Sequence, residues 1–350
     1  MRPIVSSSVL VLSLTGTTAM AAALSSAFAA GQAPPPAHTY TQIDVPGATN
    51  GTVAISVSNG VVAGYWSDSS NVSHGFVRAA DGTITSFDPA GSTLTYVAGI
   101  KTINARGAIT GWFVDSANHE HGFVRAADGT ISEFDGPQAT DTRGYAINDK
   151  GVITGIYRDS QSRDHGYVRE ANGKIKSFDP AGSTYTIPSD IGNDGTIVGL
   201  WVDSSQMEHG FLRTADGTVT TFDPAGSTGT VARYINRSGV ISGYYSDSSD
   251  LLHGYVRAAD GTITVFDPPG SISTYVVPID DKGRIAGFFE DTNRAFHGYV
   301  RHPNGTIKTF DPPGSVYTIP QGLDSSRADD GAVSGYFVSN DVIHGFVRNP

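Results

Sequence analysis

Cysteine is absent from all 350 residues, which excludes disulfide staples, thiolate metal sites and a cysteine-linked lipid anchor. A chain of this size without them must hold itself together by packing. Basic residues are scarce as well: 23 Lys and Arg stand against 34 Asp and Glu, a formal net charge of -11. Neither nucleic acid nor an anionic membrane surface is therefore an expected partner, since both require a concentrated basic face. Long apolar faces of helical period are missing, whereas glycine is abundant at 42 residues. That combination predicts an all-β chain rich in turns.

The N-terminus stands apart from the rest. Arg2 precedes an apolar, Ser/Ala-rich run, and Ala27 and Ala29 place small residues around Phe28, a pattern that predicts a signal peptide over residues 1–29. Its many Ser, Thr and Gly residues make the run weakly apolar for a lasting membrane anchor. A Pro-rich tether is expected at 30–38 and a single domain at 39–350. The mature chain is expected to be exported, extracellular or periplasmic, without membrane insertion after cleavage, and monomeric.

What is present in that domain is a repeat. A His-Gly-aromatic-aliphatic-Arg string begins at His74, His121, His165, His209, His253, His297 and His344, at intervals of 47, 44, 44, 44, 44 and 47. An Asp followed by a Pro/Gly-rich link recurs at Asp44, Asp88, Asp135, Asp179, Asp223, Asp267 and Asp311. Seven units of this length point to a propeller or a solenoid. Each resolves into four short β segments separated by turn residues, such as Asn193-Asp194-Gly195 and Ala215-Asp216-Gly217. The ends favour a ring: an isolated fourth strand, Thr39 to Asp44, opens the domain, and an isolated third strand, His344 to Arg348, nearly closes it. The prediction is an all-β, seven-bladed β-propeller of four-stranded antiparallel blades, closed by pairing of the N- and C-terminal strands.

Ile103-Asn104, Ile147-Asn148 and Ile235-Asn236, each followed by Gly, an aliphatic residue and a second Gly, precede the His-Gly-aromatic triplet. This arrangement resembles the HAF-type extracellular repeat family, in which a similar Ile-Asn-x-x-Gly segment precedes His-Ala-Phe. The resemblance implies an exported, propeller-like protein and transfers no catalytic residue. The chain departs from the family in writing Gly for Ala and in its Phe-Asp-Pro-Pro-Gly-Ser links.

Six blades place an Asp six residues before the repeated His, for example Asp203 and His209. His beside Asp suits acid/base chemistry or metal ligation. Repetition in nearly every blade argues instead for a structural role, the Asp making an Asx-turn and bonding the His. Likewise the recurring aromatics are expected in the core and the recurring Arg residues paired within or between blades. No catalytic residue, metal ligand or cofactor is assigned. No nucleophile elbow, phosphate-binding loop or His-Glu-x-x-His motif occurs.

Departures from the repeat supply the candidate sites. The residue before the marker His is Glu120, Asp164 and Glu208 in blades two to four, but Leu252, Phe296 and Ile343 in blades five to seven, with Leu251 and Val342 beside them. If these side chains reach solvent, the face carrying the Asp/His loops has an acidic half and an apolar half suited to a binding partner. Lys101, Asp324 and Arg327, in the lengthened inner-strand regions of blades two and seven, are candidates for the channel mouth. The expected function is an exported, non-enzymatic binding or interaction propeller that recognises a protein or surface glycan through the Asp/His face. The alternatives are a hydrolase or lyase acting on an extracellular polymer, and a structural envelope or matrix protein.

Overall fold

A computed structural model describes residues 39–324 and 331–349. The predicted signal peptide and tether lie outside the described residues, as does Arg327. Among the described residues every regular element is a strand, and the strands, numbered β1 to β28, form seven four-stranded antiparallel sheets. Blade four is typical: β14 (Tyr185–Ile191), β15 (Ile197–Val202), β16 (Glu208–Arg213) and β17 (Val219–Phe222) follow one another as a meander.

The ring closes as the half-units demand. β1 (Tyr40–Ile43) pairs with β28 (Val342–Arg348) from Tyr40 opposite Arg348 to Ile43 opposite Gly345. With β27 (Ala332–Ser339) and β26 (Tyr317–Asp324) they make the seventh blade. The pairing covers the outer edge of β28, and β1 takes the outermost position that the fourth strand holds in every other blade. Ile43 is 1% exposed, so closure also seals core.

Both faces of each sheet are buried against neighbours, and aromatic residues at fixed register fill the gaps. The third-strand rings, from Phe76 and Phe123 to Phe346, are fully buried. Each ring in blades two to seven meets the fourth-strand ring of the blade before it edge-on, as in Phe178 with Phe211 at 6.0 Å and Phe222 with Tyr255 at 6.2 Å. The Arg two residues later lies over that same ring: Arg213 is 4.8 Å from Phe178 and Arg257 4.8 Å from Phe222. Blade one is the exception, because the strand before it is β1, which offers Ile43 in place of Phe. Arg78 has no ring to cover, and it lines a cleft of about 430 Å³ with Thr41, Asn59 and Asn349.

The innermost strands carry a second regularity. A bulge shifts the register in β10 (Asp141–Ile147) between Gly144 and Ala146, in β14 between Pro188 and Asp190, and in β18 (Gly229–Ile235) between Ala232 and Tyr234. It recurs in β2 (Thr52–Ser58), β22 (Ser271–Ile279) and β26. The partner strand accommodates it with glycine: a Cβ on Gly155 would strike the Arg143 carbonyl oxygen. A bulge re-aims the residue that follows it, and here that residue turns toward the propeller axis.

Blade two breaks this pattern. Its inner strand β6 is cut to Leu94–Tyr96, and the three extra residues of its unit run inward. Ile100 donates its N–H to the Tyr145 carbonyl at 2.8 Å, and Lys101 bridges to Ala146 in parallel register. Ile100 is 3% exposed and shares a buried cluster with Tyr234, Val277, Ile279 and Ile319 of blades five, six and seven. A side chain from blade two reaches those blades only across the axis. The inserted segment therefore plugs the channel.

Candidate functional site

One face of the ring carries the turns between second and third strands and the links between blades. There the repeated Asp and His residues form a saturated network. The turn Asp accepts two backbone N–H groups, as Asp203 Oδ1 does from Ser205 at 2.7 Å and Met207 at 2.9 Å. Its other oxygen faces the His Nε2, at 3.2 Å for Asp159 with His165 and 3.6 Å for Asp203 with His209. The closer partner is the link Asp fourteen residues after the His: His209 Nδ1 lies 2.7 Å from Asp223 and His165 Nδ1 2.7 Å from Asp179. At the seam the same bond joins His344 to Asp44 at 2.9 Å, across 300 residues. The imidazole also stacks on the second-strand aromatic, Trp201 over His209 at 4.7 Å.

Six of the seven marker His residues are thus held between two carboxylates, and His344 lies between Asp44 and the Gln42 amide. For His121, His165, His209 and His253 burial opposes protonation, but hydrogen bonds and charge from the flanking Asp pair outweigh it, and the imidazole pKa is raised. The turn Asp residues are held below the usual carboxylate range by their backbone donors, Val72 for Asp68 and Met207 for Asp203. Each turn and link is bolted to its own hairpin.

The divided face expected from the sequence does not form a continuous outward sector. Strand residues alternate sides, and in a propeller both sides are covered by neighbouring blades, so the residue before the His points between blades. Ile343 is buried at 8% exposure and packs over Gly51 of blade one. Phe296 is half-buried among Tyr275, Phe288 and Tyr317, with ring centroids 5.7–6.1 Å away. Leu252 packs against Leu200, Val231 and Tyr244. Only their neighbours Leu251 and Val342 are exposed, at 37% and 40%. On the acidic side, Glu120 is ion-paired with Arg143 of the next blade and Asp164 with Arg158 at 2.8 Å. Glu208 is half-buried near Gly229.

The largest departure from the repeat lies on the opposite face. Stacking the seven inner strands puts Ser56, Thr102, Ala146, Asp190, Tyr234, Pro278 and Gly322 at one equivalent position, immediately after the bulge where there is one. Seven blades supply seven different residues. Five of them line a blind cup of about 360 Å³, and the other two, Thr102 and Ala146, are fully buried. Lys101 and Asp324, both singled out from the sequence, also line it. No motif marks the cup in the sequence; its signal is the column itself, one residue before the Ile-Asn position of each unit.

Its rim is rigid. Asn104 donates its amide to the Asn148 carbonyl at 2.9 Å, Asn148 to Gly192 at 3.0 Å and Asn236 to Asp280 at 3.0 Å, so the Ile-Asn motif is a ladder between blades. One residue on, Asp149 accepts from Ala105 N–H at 2.9 Å and Asn193 at 2.6 Å, and Arg237 of blade five reaches it at 3.3 Å while pairing with Asp281 at 3.2 Å. Burial opposes ionisation of Asp149, yet these donors together with Lys101 and Arg237 hold its pKa down. Asp190 is wholly enclosed, and desolvation raises its pKa against the pull of Lys101 and the Ile235 and Ile191 N–H groups. The Lys101 ammonium makes no hydrogen bond or ion pair with any described residue, although Asp149 and Asp190 both feel its charge.

No family model matches the chain, and no curated relative matches its sequence. Among solved structures it is similar to the β-propeller domain of the Trilobed protease from Pyrococcus furiosus, at 10% identity and a TM-score of 0.61 over 85% of this chain and 95% of that one. That domain has an open velcro topology, whereas here β1 and β28 are paired. A puromycin hydrolase matches at 15% identity and a TM-score of 0.58 over 84% of this chain, which spans 51% of the hydrolase. An acylaminoacyl peptidase from Pyrococcus horikoshii matches at 12% identity and a TM-score of 0.53, over 81% of this chain and 49% of that one. At such identities the likeness speaks for the fold alone.

Proposed function

We propose that this protein is an exported, non-enzymatic binding propeller, a member of the HAF-type repeat group, that recognises a protein or glycan outside the cytoplasm. The observation that carries the reading is the variable column. Where a repeat keeps one residue in every blade, the shared need is structural; where seven blades place seven different residues around one cavity, the cavity has a shape and chemistry of its own. The cup is closed by the Ile100 plug, lined by preorganised polar groups and equipped with a cation, Lys101, that pairs with no described residue, features expected of a ligand pocket. The binding site is accordingly assigned to the inner-hairpin face and not to the Asp/His face.

The test is capture of defined extracellular polysaccharides and secreted proteins on the immobilised full chain, beside Lys101→Met and His209→Ala. Loss of capture in Lys101→Met alone supports the reading. Equal capture by both variants contradicts the placement, and release of new chain ends from a captured polymer contradicts the non-enzymatic assignment.

A further inference from the structure

We infer that the ligand of the cup is the end of a neutral glycan chain, bound end-on against Lys101; this inference rests on the binding reading above and names its substrate class. Three features of the cavity support it. The first is closure: with Ile100 across the axis a polymer cannot thread the ring, so only a terminus enters. The second is size, since about 360 Å³ lies at the small end of the roughly 300–1,000 Å³ typical of small-molecule sites. One or two terminal units fill it, and the remainder of a polymer stays outside.

The third feature is the balance of charge and polarity. Arg237 is already shared between Asp149 and Asp281, and Asp280 is bound by Arg284. An anionic ligand would meet the carboxylates of Asp149 and Asp281, whereas a cationic ligand would meet Lys101. A hydroxyl both donates and accepts: it takes a hydrogen bond from Lys101 and gives one to the Asn59 side-chain oxygen or to a rim carboxylate. Beside these polar groups, Ile100, Tyr234, Pro278, Ile279 and Leu323 line the same cup. A sugar ring presents the same two characters, an apolar C–H face and a hydroxyl edge. A peptide end instead brings a full charge: its carboxylate would find Lys101 but also stand beside Asp149 and Asp281, and its ammonium would stand beside Lys101.

Isothermal titration calorimetry on the full chain decides the matter. The probes are tetrasaccharides of glucose, mannose, galactose and xylose, each with free ends and with methylated ends, and a tetrapeptide with a free carboxylate. At least one free-ended saccharide is expected to bind, its capped form not to bind, and Lys101→Met to weaken it roughly ten-fold or more, as loss of a charged hydrogen-bond donor does. Thermal melting checks that the variant is folded, and Lys101→Gln replaces it if it is not. Equal binding of capped and free saccharides overturns end-on recognition. Binding of the peptide alone, sensitive to Lys101, overturns the glycan class and leaves the binding propeller standing. Lack of any Lys101-sensitive binding overturns both.

Discussion

The two faces of this ring are built from the same seven units and have opposite characters. On the Asp/His face the marker residue is His in all seven blades, and its partners are satisfied within the blade. On the inner-hairpin face the residue before the Ile-Asn position differs in every blade, and Lys101 pairs with no described residue. The difference teaches that, within a repeat protein, sameness marks what each blade needs to stand and difference marks what the assembled ring presents. A cluster of chemically capable groups is therefore a poor guide by itself: six Asp/His/Asp sets and the His344–Asp44 pair outnumber everything in the cup, and all of them are bonded as fasteners.

The comparison breaks most violently at the seam, where the last fastener, His344 with Asp44, coincides with ring closure. Deleting Thr39 to Asp44 removes the β1 ladder, buried Ile43 and that bond together. The loss should exceed the about 2–5 kcal/mol of one large-to-small core substitution, seen as a steep fall in melting temperature with aggregation through the bared β28. Unchanged melting would mean that the ring does not depend on this closure. Ile100→Ala comes next: it should cost about 2–5 kcal/mol in chemical denaturation and also unseat Lys101, so binding falls with stability. A variant that is destabilised but binds normally would remove the plug from the account.

His209→Ala sharpens the comparison from the other side. It should cost about 1 kcal/mol through the lost bonds to Asp223 and Asp203, measured by denaturant titration, with ligand affinity unchanged. A fully stable variant with impaired binding would transfer the site to the Asp/His face. The smallest effect per site is on pH. A raised folded pKa means that the stabilisation from His121, His165, His209 and His253 is complete below the unfolded imidazole value of about 6.5 and is lost as pH rises through the folded value. Melting temperature should therefore decline from pH 6 toward pH 9, less steeply in His209→Ala. A flat or rising profile would contradict the pairing.

The architecture was legible because repetition samples each structural requirement seven times; the blade count, the strand order and the closing pair all follow from the marker spacing and the mismatched ends. The fasteners were half legible. The six-residue step points to Asp203 as the partner of His209, but the equally constant fourteen-residue step to Asp223 carries the shorter contact, 2.7 Å against 3.6 Å. For Glu120, Leu252 and Ile343 the sequence leaves open whether the side chains reach solvent, and strand alternation between two buried sheet faces sends them into the neighbouring blade. The cup was least legible. Its residues are brought together by bulges, which shift the register without a sequence signature, and by a three-residue insertion whose inward course depends on the space left at the axis.

The most direct test of the division between faces is hydrogen exchange of the full chain with and without a saturating free-ended tetrasaccharide. The account predicts slower exchange at residues 100–106, 147–151, 190–196 and 234–240, which form the plug and the inner hairpins, with no change in the turns at 68–72, 203–207 and 247–251. Protection confined to those turns, with the inner hairpins unaffected, would contradict it.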